Sequence, residues 1–438
     1  MATGIPTKKS SKNTSENNSK ISFRLEYEDK ATRDEILAIA PAKLAHVLSV
    51  EGLHKNRLFY GENLRVLRTL LDDDNVAGKV SLVYIDPPYA TGSGFTSRKQ
   101  DHAYHDLIEG AEYLEFLRRR LILIKELLAD DGSIYVHLDE NMAFTVKIIM
   151  DEVFGCKNFR NWITRKKCNP KNYTHKQYGN IADYIMFYTK SNKYIWNQPF
   201  EAWTEETSKK EYQYVEEGTG RLYKKVPIHA PGVRNGATGQ PWRGILPPPG
   251  KHWQYSPETL DEMDARGEIY WSPTGNPRRK VYLDNSKGIP IQDIWLDCKD
   301  AHNQNIKVTG YPTEKNLAIL ERIVKASSNK GDLVLDAFAG SGTTAAAAEN
   351  LGRQWIAIDN SYLAIATIIQ RLARGTEVMG DFVNGNGLKL EQKCLIDINR
   401  VLRSGLDLYI EIAPELEVIS EQILEDWRNK LSFPTSLY

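Results

Sequence analysis

The stretch best equipped for chemistry is Asp86-Pro87-Pro88-Tyr89. It follows an apolar run, Val80-Ser81-Leu82-Val83-Tyr84-Ile85, which reads as a buried strand. Two prolines forbid that strand to continue and stiffen the turn. The expected product is a rigid ledge at the carboxyl end of a strand. It carries the Asp86 carboxylate, the Pro87 carbonyl with no competing N–H behind it, and the Tyr89 ring, with Pro88 fixing the turn between them. These parts suit a flat heterocycle with an exocyclic amine: Asp86 and Pro87 accept hydrogen bonds from the amine, and Tyr89 stacks on the ring. The plainer alternative is a strand-ending turn without chemistry.

A second stretch could cradle a ligand. Asp332-Leu333-Val334-Leu335 reads as a strand running into Asp336-Ala337-Phe338-Ala339-Gly340-Ser341-Gly342-Thr343-Thr344, and a helix of small residues follows from Ala345 to Leu351. Gly340 and Gly342 let the backbone approach closely, and the N–H groups at the helix start favour an anion. Asp359 ends the next strand, Trp355 to Ile358, 17 positions after Gly342. An acid so placed suits ribose hydroxyls. Gly342 is followed by Thr343 rather than Lys, which excludes the nucleoside-triphosphate loop. The expected ligand carries a nucleoside and an anionic group.

The elements that must position these residues alternate. Helices are expected over Glu28 to Val50, Leu64 to Leu71, Glu112 to Ala129, Asn141 to Phe154, from Thr313 onward, and over Tyr362 to Ala373. Strands are expected at Asn56 to Tyr60, Ser133 to Leu138 and Asp183 to Tyr188. Strands alternating with helices indicate a parallel α/β sheet. In such a sheet ligands sit beyond the carboxyl ends of strands near the switch point, so two half-sites about 250 residues apart can share one edge. The loop from Ala90 to Asp106 has little pattern and is a candidate lid. Leu406 to Ile412 reads as a strand and Val418 to Leu431 as a helix.

A different composition interrupts this pattern. Between Arg160 and Lys193 eight basic residues face one acid, Asp183, and four tyrosines interleave with them. From Trp196 to Asp297 the pattern is irregular, with tryptophans on Pro-Gly loops and the cluster Arg278-Arg279-Lys280. Basic and aromatic side chains on loops suit phosphates and bases. Arg165, Lys166, Lys167, Arg278, Arg279 and Lys280 are the expected nucleic-acid contacts, against the alternative of a solvated face with core tryptophans. The formal net charge is +0, so such binding must come from local clusters. The 438 residues fit about two or three domains. The four cysteines are scattered, which argues against a zinc site and a disulfide framework, and no metal site is expected. With few cysteines, no secretory leader and no apolar run long enough for a bilayer, a cytoplasmic protein is expected.

Together, Asp86-Pro87-Pro88-Tyr89 followed later by Asp336 to Thr344 resembles the β-class DNA amino-methyltransferases, and Tyr311-Pro312-Thr313-Glu314-Lys315 resembles a further cofactor element of that family. The resemblance covers about residues 50 to 375. Ala337 and Asn316 stand where the family has proline, and Ala90 where asparagine often follows the tetrapeptide. It implies a methyltransferase-type, doubly wound, mostly parallel sheet in circularly permuted order, with the catalytic half first and an irregular target recognition domain inserted. The expected division is a disordered tail over 1–21, a catalytic half over 22–195, a target recognition domain over 196–300, a cofactor half over 301–375 and an extension over 376–438. The implied cofactor is S-adenosylmethionine, held by Lys315, Asp336, Phe338, Gly340, Ser341, Gly342, Thr343, Thr344 and Asp359. The implied reaction is site-specific methylation of the N6 amine of a flipped adenine, an Asp rather than a Ser at the first position favouring adenine. N4 methylation of cytosine is the alternative, and a non-catalytic subunit that binds cofactor and nucleic acid is the alternative of a different class. An RNA amine is a further substrate to separate by assay. Double-stranded DNA, a restriction or helicase subunit, and a second copy of the chain are the expected partners.

Overall fold

The computed structural model describes residues 24–52, 55–88, 94–96, 102–105, 110–170, 176–300, 307–308, 314–374, 377–378 and 405–412. The tail expected over 1–21, Tyr89, residues 311–313 and the helix expected over 418–431 lie outside them. Two units separate by internal contacts: residues 1–197 with 292–438, and residues 198–291.

The first unit is built on strands β1 (Leu44–Val50), β2 (Asn56–Tyr60), β3 (Val80–Ile85), β4 (Leu128–Leu138), β5 (Phe159–Lys166), β6 (Ala182–Thr189), β7 (Ile294–Trp295), β8 (Leu333–Asp336), β9 (Gln354–Asp359) and β10 (Leu406–Glu411). Its helices are α1 (Arg33–Leu37), α2 (Asn63–Leu70), α3 (Gly110–Leu127), α4 (Ala143–Phe154), α5 (Leu317–Ser327), α6 (Thr343–Asn350) and α7 (Tyr362–Arg374). Among the described residues the strands form one ten-stranded sheet in the order β1-β10-β2-β9-β8-β3-β4-β6-β5-β7. The run from β10 to β4 is parallel throughout, and β6 and β1 run against their neighbours. The sheet is thus the mostly parallel α/β sheet that the alternation predicts.

Burial explains the elements. Every residue of β3 is buried, as a central parallel strand requires. Val83 and Ile85 face a core shared with α2, α3 and α4, in which Val66, Leu70, Leu117, Leu121, Ile124 and Ile149 recur at helical spacing. Tyr84 and Leu82 turn the other way, toward α5. From β3 the chain moves through α3 to β4 on one side. From β8 it moves through α6 to β9 on the other side. The boundary between β3 and β8 is therefore the switch point of the sheet, and both expected half-sites end at it.

Two expectations change. The helix expected over Glu28 to Val50 is a short α1 followed by strand β1. Pro41 prevents a helix from running through, and Val47, Leu48 and Val50 bury themselves where β1 pairs antiparallel with β10. The loop expected after Tyr89 contains two short antiparallel strands, Gly94–Thr96 and His102–His105. In the C-terminal segment, Leu406, Leu408 and Ile410 are buried in β10 between β1 and β2. Among the described residues no helix is long and apolar enough to cross a membrane.

The second unit has a four-stranded antiparallel sheet of Tyr214–Val215, Leu222–Pro227, Pro277–Tyr282 and Ile269–Trp271. Its core is Ile228, Trp242, Trp253, Leu260, Met263 and Ile269. Trp242 and Trp253 are almost fully buried, so these two belong to the packing of the unit and not to its surface.

Candidate active site at the switch point

Asp86, Pro87 and Pro88 leave the end of β3 outside any strand, as the sequence predicts. The Asp86 carboxylate is mostly buried, and its Oδ2 lies 2.9 Å from the Lys315 Nζ. Lys315, expected on the cofactor, thus reaches the Asp86 ledge. Tyr84, two residues earlier on the same face, shares a 2.7 Å hydrogen bond with His137 Nδ1 of β4. His137 Nε2 stands 2.9 Å from Asp183 of β6. Burial pushes the Asp183 carboxyl up, but His137 and Arg165 outweigh it and hold the group well below the usual carboxylate range.

Arg165 completes this buried row, which corrects its assignment to DNA. Its side chain has no exposed surface, and it donates to Asp183 at 3.0 Å and to the Cys298 carbonyl at 2.7 Å, with Asp300 as a third partner. A buried guanidinium requires such paired carboxylates, and with no side-chain surface exposed it presents nothing to a phosphate. Lys166 and Lys167 remain partly exposed, with Lys167 3.9 Å from Glu140. In the second unit, Arg278 is exposed, Arg279 donates to the Tyr255 hydroxyl, and Lys280 pairs with Glu216 at 2.9 Å.

The Asp336 to Thr344 turn is self-bracing. Asp336 is 4% exposed, and its carboxylate accepts from Thr344 Oγ1 at 2.5 Å and Phe338 N at 3.0 Å. Burial pushes its carboxyl up to about 7, with the Asp86 and Asp359 charges adding to the rise. Asn63 Nδ2 donates to the Ala337 carbonyl at 2.7 Å, which ties α2 to the turn. Phe338 packs against Phe116 of α3. Ser341 and Thr343 are buried, and both bond to Arg371 of α7. Asp336, Ser341, Thr343 and Thr344 therefore shape the turn from inside.

Gly342 has φ +72°, and a Cβ there would come within 2.7 Å of Ile368. The glycine is required by close packing on α7 as much as by ligand approach. Gly340 N donates to Asp359 Oδ2 at 2.8 Å, and Ser361 N donates to Oδ1 at 2.8 Å. Asp359 keeps part of its surface open, yet the dense surroundings still raise its carboxyl to about 6. No side chain caps the start of α6. An oriented carboxylate beside an uncapped helix start fits a ligand with ribose hydroxyls and an anionic group.

The two half-sites meet. Leu335 of β8 pairs with Val83 of β3, which brings Asp336 and Asp86 to one rim. Glu314 stood in the Tyr311–Lys315 element without a role of its own, and Arg371, Asn63 and the Tyr84-His137-Asp183 row were not legible in the sequence. Each is a polar residue in an ordinary helical, strand or loop context, and only the adjacency of Glu314 to Lys315 gave a signal.

The DNA methylase family model N6_N4_Mtase matches residues 80–370. The type II methyltransferase M.EcaI of Enterobacter cloacae is 51% identical over 348 residues, 80% of this chain and 76% of that protein. The StyLTI Mod subunit, from a type III restriction-modification enzyme of Salmonella typhimurium, is 28% identical over 369 residues, 75% of this chain and 55% of that protein. The chain thus spans about half the length of the type III subunits it matches. Among solved structures, the cytosine-N4-specific PvuII DNA methyltransferase aligns with TM-score 0.41 and 16% identity over 83% of this chain and 98% of that chain. With Asp86 and the Gly340 turn both inside the matched span, the chain belongs to the N6_N4_Mtase family of DNA methylases.

Proposed function

We propose that this S-adenosylmethionine-dependent DNA methylase modifies the N6 amine of adenine, and that Asp86 and the Pro87 carbonyl hold that amine. The observation that carries the reading is the position of the Asp86 carboxylate, on the same rim as the Gly340 turn and beside β8. An aromatic amine is a poor nucleophile because its lone pair is delocalised into the ring. Hydrogen bonds from its two protons to Asp86 and to the Pro87 carbonyl favour a pyramidal nitrogen with its lone pair free. The Asp86 charge also stabilises positive charge as it develops on nitrogen. Bound S-adenosylmethionine supplies an electrophilic methyl group. Asp359 suits its ribose hydroxyls, the start of α6 suits its carboxylate, and Phe338 lines the turn. The base must leave the duplex, at a cost of a few kcal/mol. A stacking ring in the role assigned to Tyr89 returns ~1–3 kcal/mol of that cost.

An Asp at the first position of the tetrapeptide supports adenine over cytosine. Nucleoside analysis of DNA methylated by the purified chain tests this: N6-methyladenine is expected, and N4-methylcytosine alone refutes it. Mixed RNA in the same assay separates the substrates.

The second unit, residues 198–291, is read as the target recognition domain. Its support is an exposed Arg278, together with Lys225 over the Tyr214 and Tyr270 rings at 3.6 and 3.4 Å. The chain methylates by itself in this reading, in line with the type II relative. A requirement for a co-purifying helicase-nuclease would instead favour the type III arrangement of the Mod subunits.

A further inference from the structure

Arg371 touches neither half-site's open surface, yet it joins them. Its Nη1 lies 3.0 Å from Glu314 Oε1, 2.9 Å from Thr343 Oγ1, 3.2 Å from the Ser341 carbonyl and 3.3 Å from Ser341 Oγ. Arg371 is 5% exposed and Glu314 4%. Ile368, one turn earlier on α7, packs against the Gly342 position of the same turn. Glu314 is followed by Lys315, whose ammonium sits 2.9 Å from Asp86. Asn316 then caps α5 and donates to the Lys299 carbonyl at 2.9 Å. Three consecutive residues are therefore anchored in three places: the cofactor turn, the catalytic carboxylate and a helix start. A buried ion pair adds little net stability over an apolar pair of the same volume. Its contribution here is placement.

We propose that Arg371 and Glu314 are positioning residues for methyl transfer: their ion pair fixes the Gly340–Thr344 turn relative to the strap that carries Lys315 to Asp86. The proposal rests on the reading of that turn as the cofactor site. Loosening the pair lets the turn shift, which weakens cofactor binding. It also lets Lys315 and Asp86 drift from their alignment, which slows transfer even when cofactor saturates. A misplacement of about 1 Å is enough for a ~10²-fold loss.

The experiment compares full-length wild type with Arg371→Lys, Arg371→Met, Glu314→Gln, the Arg371→Met/Glu314→Gln pair, and Gly342→Val as a control on the turn. Thermal melting, calorimetric titration with S-adenosylmethionine, and single-turnover methylation at saturating cofactor are measured on each. Arg371→Lys keeps the charge but loses the planar fork. It is expected to fold, to bind cofactor about tenfold more weakly and to transfer about 10–100-fold more slowly at saturation. Glu314→Gln should slow transfer more than it weakens binding. The double variant should be no worse than Arg371→Met alone, because both act through one contact. Wild-type affinity and rate in Arg371→Lys and Glu314→Gln, with only the melting temperature lowered, would overturn the proposal and leave the pair a matter of stability. Wild-type cofactor affinity in Gly342→Val would instead overturn the assignment of the turn itself. Those two failures are distinct, and Arg371→Lys with Glu314→Gln decides the matter if Arg371→Met does not fold.

Discussion

At the scale of single residues, the site is a set of carboxylates in unequal surroundings. Asp86 is matched by a lysine, Asp183 by a histidine and an arginine, and Asp336 by hydrogen bonds alone. In the proposed mechanism Asp86→Ala removes the acceptor and charge on which the amine depends. It should lower methyl transfer by roughly 10²–10³-fold or more while cofactor affinity, measured by calorimetry, stays within a few-fold of wild type. Retained wild-type turnover would sink the mechanism. Asp336 makes a prediction about pH. Its carboxyl is raised to about 7, so the folded chain holds a proton that the unfolded chain releases above about pH 4. The stability it contributes is fully present below pH ~4 and is lost as pH rises through about 7. Asp183 works in the opposite sense: held low, it contributes stability above the ordinary carboxylate range and loses it as pH falls. Thermal melts of cofactor-free protein should therefore show a fall between pH 5 and 8 that is flatter in Asp336→Asn. Equal slopes in the two proteins would contradict the burial of that charge.

At the scale of elements, the basic residues expected on DNA divide into two physical kinds. Arg165 lies inside the first unit with its carboxylates, whereas Arg278 stands open on a strand of the second. Arg165→Ala leaves Asp183 and Asp300 without their cation and should destabilise the fold by ~3–5 kcal/mol in denaturant unfolding. Any DNA binding that survives should keep the wild-type salt dependence. Arg278→Ala should leave stability within about 0.5 kcal/mol and reduce the salt slope of DNA binding by ~1, as loss of one phosphate contact does. An unchanged slope would remove Arg278 from the interface. The cofactor turn makes an element-level prediction too. Gly342→Ala places a Cβ against Ile368 in a left-handed backbone, so it should cost ~1–3 kcal/mol and weaken cofactor binding. Adding Ile368→Ala should relieve the clash but not the backbone strain, which a double-mutant cycle reads directly.

At the scale of the whole molecule, the sheet of the first unit is completed from the far end of the chain. β10 lies between β1 and β2 and buries Leu406, Leu408 and Ile410, each worth ~1.5–3 kcal/mol. Truncation after residue 374 should therefore strip β1 of its partner, expose the edge of β2 and cause aggregation or a large fall in melting temperature. A truncated chain that melts like wild type would show that β10 is dispensable. Three strands, β2, β9 and β8, lie between β10 and the switch point. Loss of cofactor affinity in such a variant should follow loss of fold and not precede it.

Local order along the chain was enough for much of this protein. An apolar run that ends in Asp86-Pro87-Pro88 can hardly be anything but a buried strand with a rigid exit, and two glycines between a strand and an Ala-rich helix define a turn. Strand–helix alternation then gives the parallel sheet and its ligand edge, because period and proline chemistry act within a few residues. What the chain order could not decide was partnership across long separations. Lys315 had a motif but no visible target until α5 and β3 came together. Arg165 looked like a surface cation until Asp183 and Asp300 enclosed it, and Leu44 to Val50 looked helical until β10 offered a ladder about 360 residues away. Burial and pairing depend on which distant segment supplies the counter-charge or the next strand, and only the tertiary fold makes that choice.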